Sequence, residues 1–311
     1  MLASRTQSFA RHEAGFTIIE VMIAMLLLTV VTGAILQGTL GLTKVNDVVA
    51  NRTEMHAGVR NATALLQQEV GQAGRIALPA GTALAGAVVA NPAAAQTVAV
   101  APSTAGMFVG EHIVIGTGAL KETVTLTAVN SGTAEITATF TLAHAATTPV
   151  SAPGGFAAGV IPTTMANGST PSVLKIIGDI NGDGQMVYVE YTCNTGAGLL
   201  YRNTMAFDAG AKPALTIEQV LIDNIQPNPD GSPCFTYDER PVNGATFVVG
   251  VAITLTVRTQ DRDPITGQFQ TETKALLNVS PRNVFHAWQM ASLGYDTRIQ
   301  PLPASAVVLL P

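Results

Sequence analysis

The string Asp179-Ile180-Asn181-Gly182-Asp183-Gly184, with Glu190 in the twelfth position, carries the oxygen side chains of a calcium loop. Such a loop must curl so that its twelfth residue folds back on the ion. Met186 to Tyr191 instead reads as a strand. Six extended residues reach roughly 20 Å, which carries Glu190 away from Asp179. The simpler reading is an Asn-Gly-Asp-Gly hairpin turn with no cofactor. A calcium-binding turn built from Asp179, Asn181 and Asp183 is the alternative. Other chemistry is sparse. His12, His56, His112, His144 and His286 fall in separate segments, and neither Cys193 nor Cys234 has a CxxC partner. Gly-x-Ser-x-Gly, Walker A and HExxH strings are absent, so nothing argues for an enzyme.

A different functional group stands near the start. Glu20 is followed by 23 uncharged residues, Val21 to Thr43, enough to cross a bilayer as a helix. An ionised carboxylate at the edge of such a segment costs several kcal/mol unless it finds a partner or a proton. Ahead of it lies a short polar leader, Met1 to Gly15, with Arg5 and Arg11. Secretory signals are cut after their apolar stretch. Here the cut expected from the pattern lies before it, so the apolar helix becomes the new N-terminus.

Gly15-Phe16-Thr17-Ile18-Ile19-Glu20, between a basic leader and an unbroken apolar run, resembles the class III signal of type IV pilins and pseudopilins. The resemblance implies cleavage between Gly15 and Phe16 by a membrane prepilin peptidase and N-methylation of Phe16. It also implies a charge pair between Glu20 and the α-amino group of Phe16, on the same chain or a neighbour, that draws an incoming subunit into register. Implied partners are the membrane, other minor pilins, the major pilin and the inner-membrane assembly platform.

The elements that must carry this device are legible in outline. After Lys44, Val45, Val48, Val49, Met55, Val59, Ala62, Leu66 and Val70 recur at steps of three and four, the stripe of a helix with one buried face. The spacing predicts one helix from Phe16 to about Ala73, about 87 Å long, stopping at Gly71 and Gly74. Gly33, Gly38 and Gly41 are its weak points. The fold class is α+β: a long helix on an antiparallel β head. Residues 1–15 form the leader, 16–43 the membrane half of the helix and 44–75 its amphipathic half. Residues 76–171 form a variable region, mostly loop up to Pro102, with a β meander at about 105–150. Residues 172–290 form the C-terminal antiparallel sheet and 291–311 a tail.

Within that sheet the turn at Gly182–Gly184, the alternating strand ending at Val257 and the closing Ser280-Pro281-Arg282-Asn283 are similar to PilW-type minor pilins and the J pseudopilin of type II secretion. Leu65-Leu66-Gln67-Gln68-Glu69 and Ala73-Gly74-Arg75 add to that likeness.

Arg5 and Arg11 place the leader in the cytoplasm by the positive-inside rule, and the head outside the inner membrane, in the periplasm and later in a fibre. Two cysteines in an exported head favour one disulfide, Cys193–Cys234. The formal charge of −5 disfavours nucleic acid as a partner. Arg258, Arg262, Lys274 and Arg282 are interleaved with Asp261, Asp263 and Glu272, which marks solvated strand edges rather than a basic face. The expected function is a minor type IV pilin, structural or priming. The alternatives are a type II secretion pseudopilin and a tip adhesin or DNA-uptake pilin.

Overall fold

A computed structural model describes residues 15–311. The leader up to Ala14, including Arg5, Arg11 and His12, lies outside the described residues. One helix, α1 (Ile18–Gln72), runs 55 residues, about 83 Å. It continues unbroken through Gly33, Gly38 and Gly41. Every side chain from Ile18 to Asp47 is exposed, and the buried ones, Met55, Val59, Ala62, Leu66 and Val70, lie in the second half. Thr29, Thr39 and Thr43 return their hydroxyls to the carbonyls four residues back, which satisfies them inside an apolar segment. The helix stops at Ala73, and Gly74 follows at φ +82°, a conformation that favours glycine. Asn283 donates to the orphan carbonyls of Gln72 and Ala73 at 3.2 and 3.4 Å.

Beyond α1 comes a β module with its own core. Its strands are β1 (Ala83–Leu84), β2 (Gln96–Ala101), β3 (His112–Ile115), β4 (Glu122–Thr125), β5 (Ala128–Asn130), β6 (Glu135–Ala138) and β7 (Val150–Ser151). They form two sheets, β1-β2-β6-β5 and β4-β3-β7, around Leu84, Val98, Ile113, Ile115, Leu126, Ile136 and Phe140. The meander expected at 105–150 is therefore enlarged, because β1 and β2 come from the stretch read as loop. Gln96–Ala101 follows an alanine run, Ala93 to Ala95, in a stretch without a clear period, and is held by pairing with β6. Glu122 ties the module internally. It accepts from the Thr141 amide at 2.9 Å and hydroxyl at 2.6 Å, and meets His144 Nε2 at 2.6 Å.

The head follows: β8 (Gly155–Phe156), β9 (Val173–Gly178), β10 (Val187–Asn194), β11 (Leu199–Ala206), β12 (Val220–Asp223), β13 (Ile225–Gln226), β14 (Phe235–Val242), β15 (Ala245–Arg258) and β16 (Thr271–Val279). Two antiparallel sheets replace the single one expected at 172–290. One is β12-β11-β10-β9; in the other β15 is flanked by β13 and β14 and also pairs with β16. Between β12 and β13 lies Asn224, whose φ of +57° turns the chain from one sheet to the other. The buried face of α1 covers Leu174, Ile176, Val189, Leu200, Ile253 and Leu255 from both sheets.

The stretch expected as a tail is built into the fold. Helix α2 (Arg282–Ser292) buries Val284, Ala287 and Ala291. Strand β17 (Ile299–Gln300) pairs parallel with β8, and α3 (Ala304–Val307) leads to buried Leu309 and Leu310. Gln300 accepts from the His112 amide at 2.8 Å and donates to its carbonyl at 2.6 Å, stitching module to head.

At that seam Glu111 is fully buried. Its Oε2 accepts from the Phe108 amide at 3.3 Å, and its Oε1 has no partner among the described residues. Burial pushes its carboxyl up from 4.5 to about 8, against the smaller opposing effect of the Phe108 amide. Between those two values the folded state holds a proton that the unfolded chain has lost. Stability should therefore fall as pH rises through the window, by at most about 1.4 kcal/mol per pH unit. In denaturant melts at pH 5, 6.5 and 8, Glu111→Gln is expected to flatten that slope and to be the more stable protein at pH 8. An unchanged slope would contradict this account of Glu111.

Candidate functional site

The first turn of α1 is a capping box. The Thr17 hydroxyl accepts from the Glu20 amide at 3.3 Å, and Glu20 Oε2 accepts from the Thr17 amide at 3.4 Å and hydroxyl at 3.3 Å. The carboxylate also stands at the positive end of the helix dipole. All these groups are exposed, and Phe16 is 83% exposed. Phe16, Glu20, Val21, Ala24, Met25 and Leu28 line one shallow, mostly apolar concavity. The bonds are long, and a cap contributes about 1 kcal/mol, less than the several kcal/mol that an ionised carboxylate loses in hydrocarbon. Among the described residues Glu20 pairs with no cation, so it keeps a demand for one.

The prokaryotic N-terminal methylation motif matches residues 10–36, from inside the leader to Leu36. The motif supports a type IV pilin-like protein. The motif implies processing by prepilin peptidase and association with a membrane, and α1 is long and apolar enough to cross one. The match ends inside α1, so the head must be read from its own structure. No curated protein matches the chain.

In the pilin-like head, α1 is locked by a buried ion pair. Glu69, 1% exposed, receives Arg202 Nη2 at 2.5 Å and Nε at 3.0 Å. The Tyr191 hydroxyl donates to its other oxygen. Burial, followed by the charge of Glu69, pushes the Tyr191 phenol well above its ordinary range. One carboxylate thus ties the helix to adjacent strands, since Tyr191 pairs with Arg202 across β10 and β11. Neither partner is identifiable from the sequence, but a signal was present. Glu69 interrupts the apolar stripe between Leu66 and Val70, and an acid there requires a buried partner.

The structure separates the calcium-loop residues. Asp179, also 1% exposed, faces Arg75 Nε at 3.4 Å, and its other oxygen accepts from the Asp183 amide at 3.1 Å. Asp183 is turned to the Gln185 amide at 2.9 Å. Glu190 sits in β10, where it accepts from Tyr188 at 2.8 Å and Lys212 at 2.7 Å. Lys175, paired with it across the strands, donates to the carbonyls of Leu310 at 2.5 Å and Asn167 at 2.9 Å. Burial pushes the Lys175 ammonium below its ordinary value.

Cys193 and Cys234 are bridged, with Cα atoms 6.5 Å apart. Cys193 lies in β10 and Cys234 immediately precedes β14, so the bond joins the two sheets rather than strands of one. The 41-residue separation corresponds to about 3–4 kcal/mol in the chain-entropy treatment. The double variant Cys193→Ser/Cys234→Ser is expected to lose that much in denaturant melts under oxidising conditions. Equal stability in the two proteins, or two free thiols in non-reducing peptide maps of exported wild type, would contradict the bridge.

Proposed function

We propose that this pilin-like protein is a minor subunit of a type IV pilus, cut after Gly15, N-methylated on Phe16 and placed at the end of the fibre. It would sit in the inner membrane with its head in the periplasm until assembly. The observation that carries the reading is the division of α1: a bare apolar half opening on Glu20 and a second half packed on the head. The new α-amino group of Phe16, on this chain or a neighbour, supplies the cation that Glu20 lacks. The role is to build, not to catalyse. Partners are the other pilins and the assembly platform.

The β module supports the terminal position. Both its connections leave from the C-terminal end of α1, where Arg75 bridges Gly155. It therefore adds bulk at the end of the head farthest from the anchor, where the next subunit of a continuous fibre would stack. Gold-labelled antibody against residues 83–151 should mark fibre ends. Labelling spread evenly along the fibres would contradict the terminal role.

The turn at Asp179 functions in this reading without an ion, because Arg75 supplies the positive charge as a tethered side chain. Calcium should leave the melting temperature unchanged. A site saturated at a hundredfold excess over its dissociation constant would add about 2.7 kcal/mol, so a clear calcium-dependent rise would restore the metal reading.

A further inference from the structure

The loop between β15 and β16 lies on the anchor-proximal side of the head, against α1 at Asn51 and Arg52. Strand β15 starts at Ala245 beside α2, near the end of α1, and runs back toward the anchor, so its turn at 259–270 lies at the base of the head. There Asn51 of α1 donates to the Asp261 carbonyl at 2.8 Å, and Arg52 bonds Gln270. Arg262 and Pro264 line one crevice with Asp47. Asp47 is four residues past Thr43, the end of the uncharged run, hence about 6 Å along the axis, and Asn51 lies about 12 Å along it. The headgroup layer is roughly 5–7 Å deep on each side of a bilayer.

The tip is a fixed structure. Asp263 Oδ1 accepts from the amides of Ile265 at 2.7 Å and Thr266 at 3.2 Å, while Asp263 Oδ2 accepts from Gln270 at 2.9 Å. Arg262 donates to the Gly267 carbonyl at 3.1 Å and stacks on Phe269 at 4.9 Å. These bonds hold the tip with Ile265 65% exposed.

We propose that the Asp263–Gly267 tip is a membrane-contacting foot: Pro264 and Ile265 enter the headgroup layer while Lys44 and Arg262 meet lipid phosphates. Before assembly the foot sets the height and tilt of the head over the bilayer. Two apolar residues with two cations bind weakly by themselves, but α1 already holds them near the surface, so a small affinity suffices. The inference rests on α1 crossing the membrane.

The test uses the full-length protein in phospholipid vesicles, with single cysteines at Ile265, Leu36 or Val89 carrying an environment-sensitive fluorophore. Cys193 and Cys234, being bridged, do not compete for the label. The label replacing Leu36 reports the anchor, and the label replacing Val89, exposed on the module, reports bulk water. The foot predicts blue-shifted emission for Ile265→Cys and severalfold stronger quenching by headgroup-nitroxide lipid than for Val89→Cys, lessened by adding Arg262→Glu. If Leu36→Cys is quenched by chain-nitroxide lipid while Ile265→Cys behaves like Val89→Cys, the foot is wrong and the anchor stands. If Leu36→Cys is not quenched, the anchor reading fails and the foot with it.

Discussion

Glu20→Ala is expected to leave a processed, membrane-inserted protein that enters fibres at least about tenfold less often than wild type, a change equivalent to about 1.4 kcal/mol or more. The head does not touch this residue. Its described partners are the amide and hydroxyl of Thr17, at 3.3–3.4 Å, so its loss takes one weak cap from the helix start and nothing from the core. What it removes is an uncompensated carboxylate at the mouth of an apolar segment, the one group there able to attract a neighbour's α-amino group. Melting of the head should be unchanged, and fibre content by immunoblot should carry the whole effect. Fibres that incorporate the variant as well as wild type would show that the charge pair plays no part in assembly here. Glu20→Gln separates charge from hydrogen bonding: it keeps most of the cap and should still fail.

Glu69→Ala should produce the opposite pattern. Removing one partner of a buried pair strands the other, and the loss is about 3–5 kcal/mol when the remaining charge is poorly solvated. Arg202 would keep its guanidinium against the core, its side chain 24% exposed, and the Tyr191 hydroxyl would lose its acceptor. A cost toward the lower end is expected because Arg202 can turn part-way to water. Replacing all three with apolar residues of similar size should cost less than the single change, because no charge is left behind. Chemical denaturation of the full-length protein in detergent checks both variants. A loss below about 1 kcal/mol for Glu69→Ala, the range of exposed pairs, would mean that the helix is held by its apolar face alone.

The contrast between Glu20 and Glu69 also shows what could be read from the chain. Glu20 was legible because its meaning is local: leader, Gly-Phe, carboxylate and apolar run all lie within one stretch of sequence. The helix was legible for the same reason, since its periodic stripe needs no knowledge of the partner surface. Thr17 as the capping residue was missed, although a threonine three residues before a glutamate is the capping signature. Glu69, by contrast, takes its role from Arg202 and Tyr191, more than a hundred residues away. The second sheet depends on Asn224 adopting a left-handed conformation, which asparagine permits but does not announce. Strands β1 and β2 were hidden in an alanine-rich stretch without a period, where β2 is held by pairing with β6 and β1 by pairing with β2. The run after Met290 looked like a tail because its apolar residues have no period. Leu309 and Leu310 are buried singly, against surfaces supplied by other parts of the chain.

The central claim is that the bare half of α1 becomes the N-terminus of an assembly subunit. Mass spectrometry of the mature protein from membranes and sheared fibres tests it directly. The account predicts a chain beginning with N-methylated Phe16. A chain that still begins at Met1, or that begins anywhere past Thr43, would contradict it.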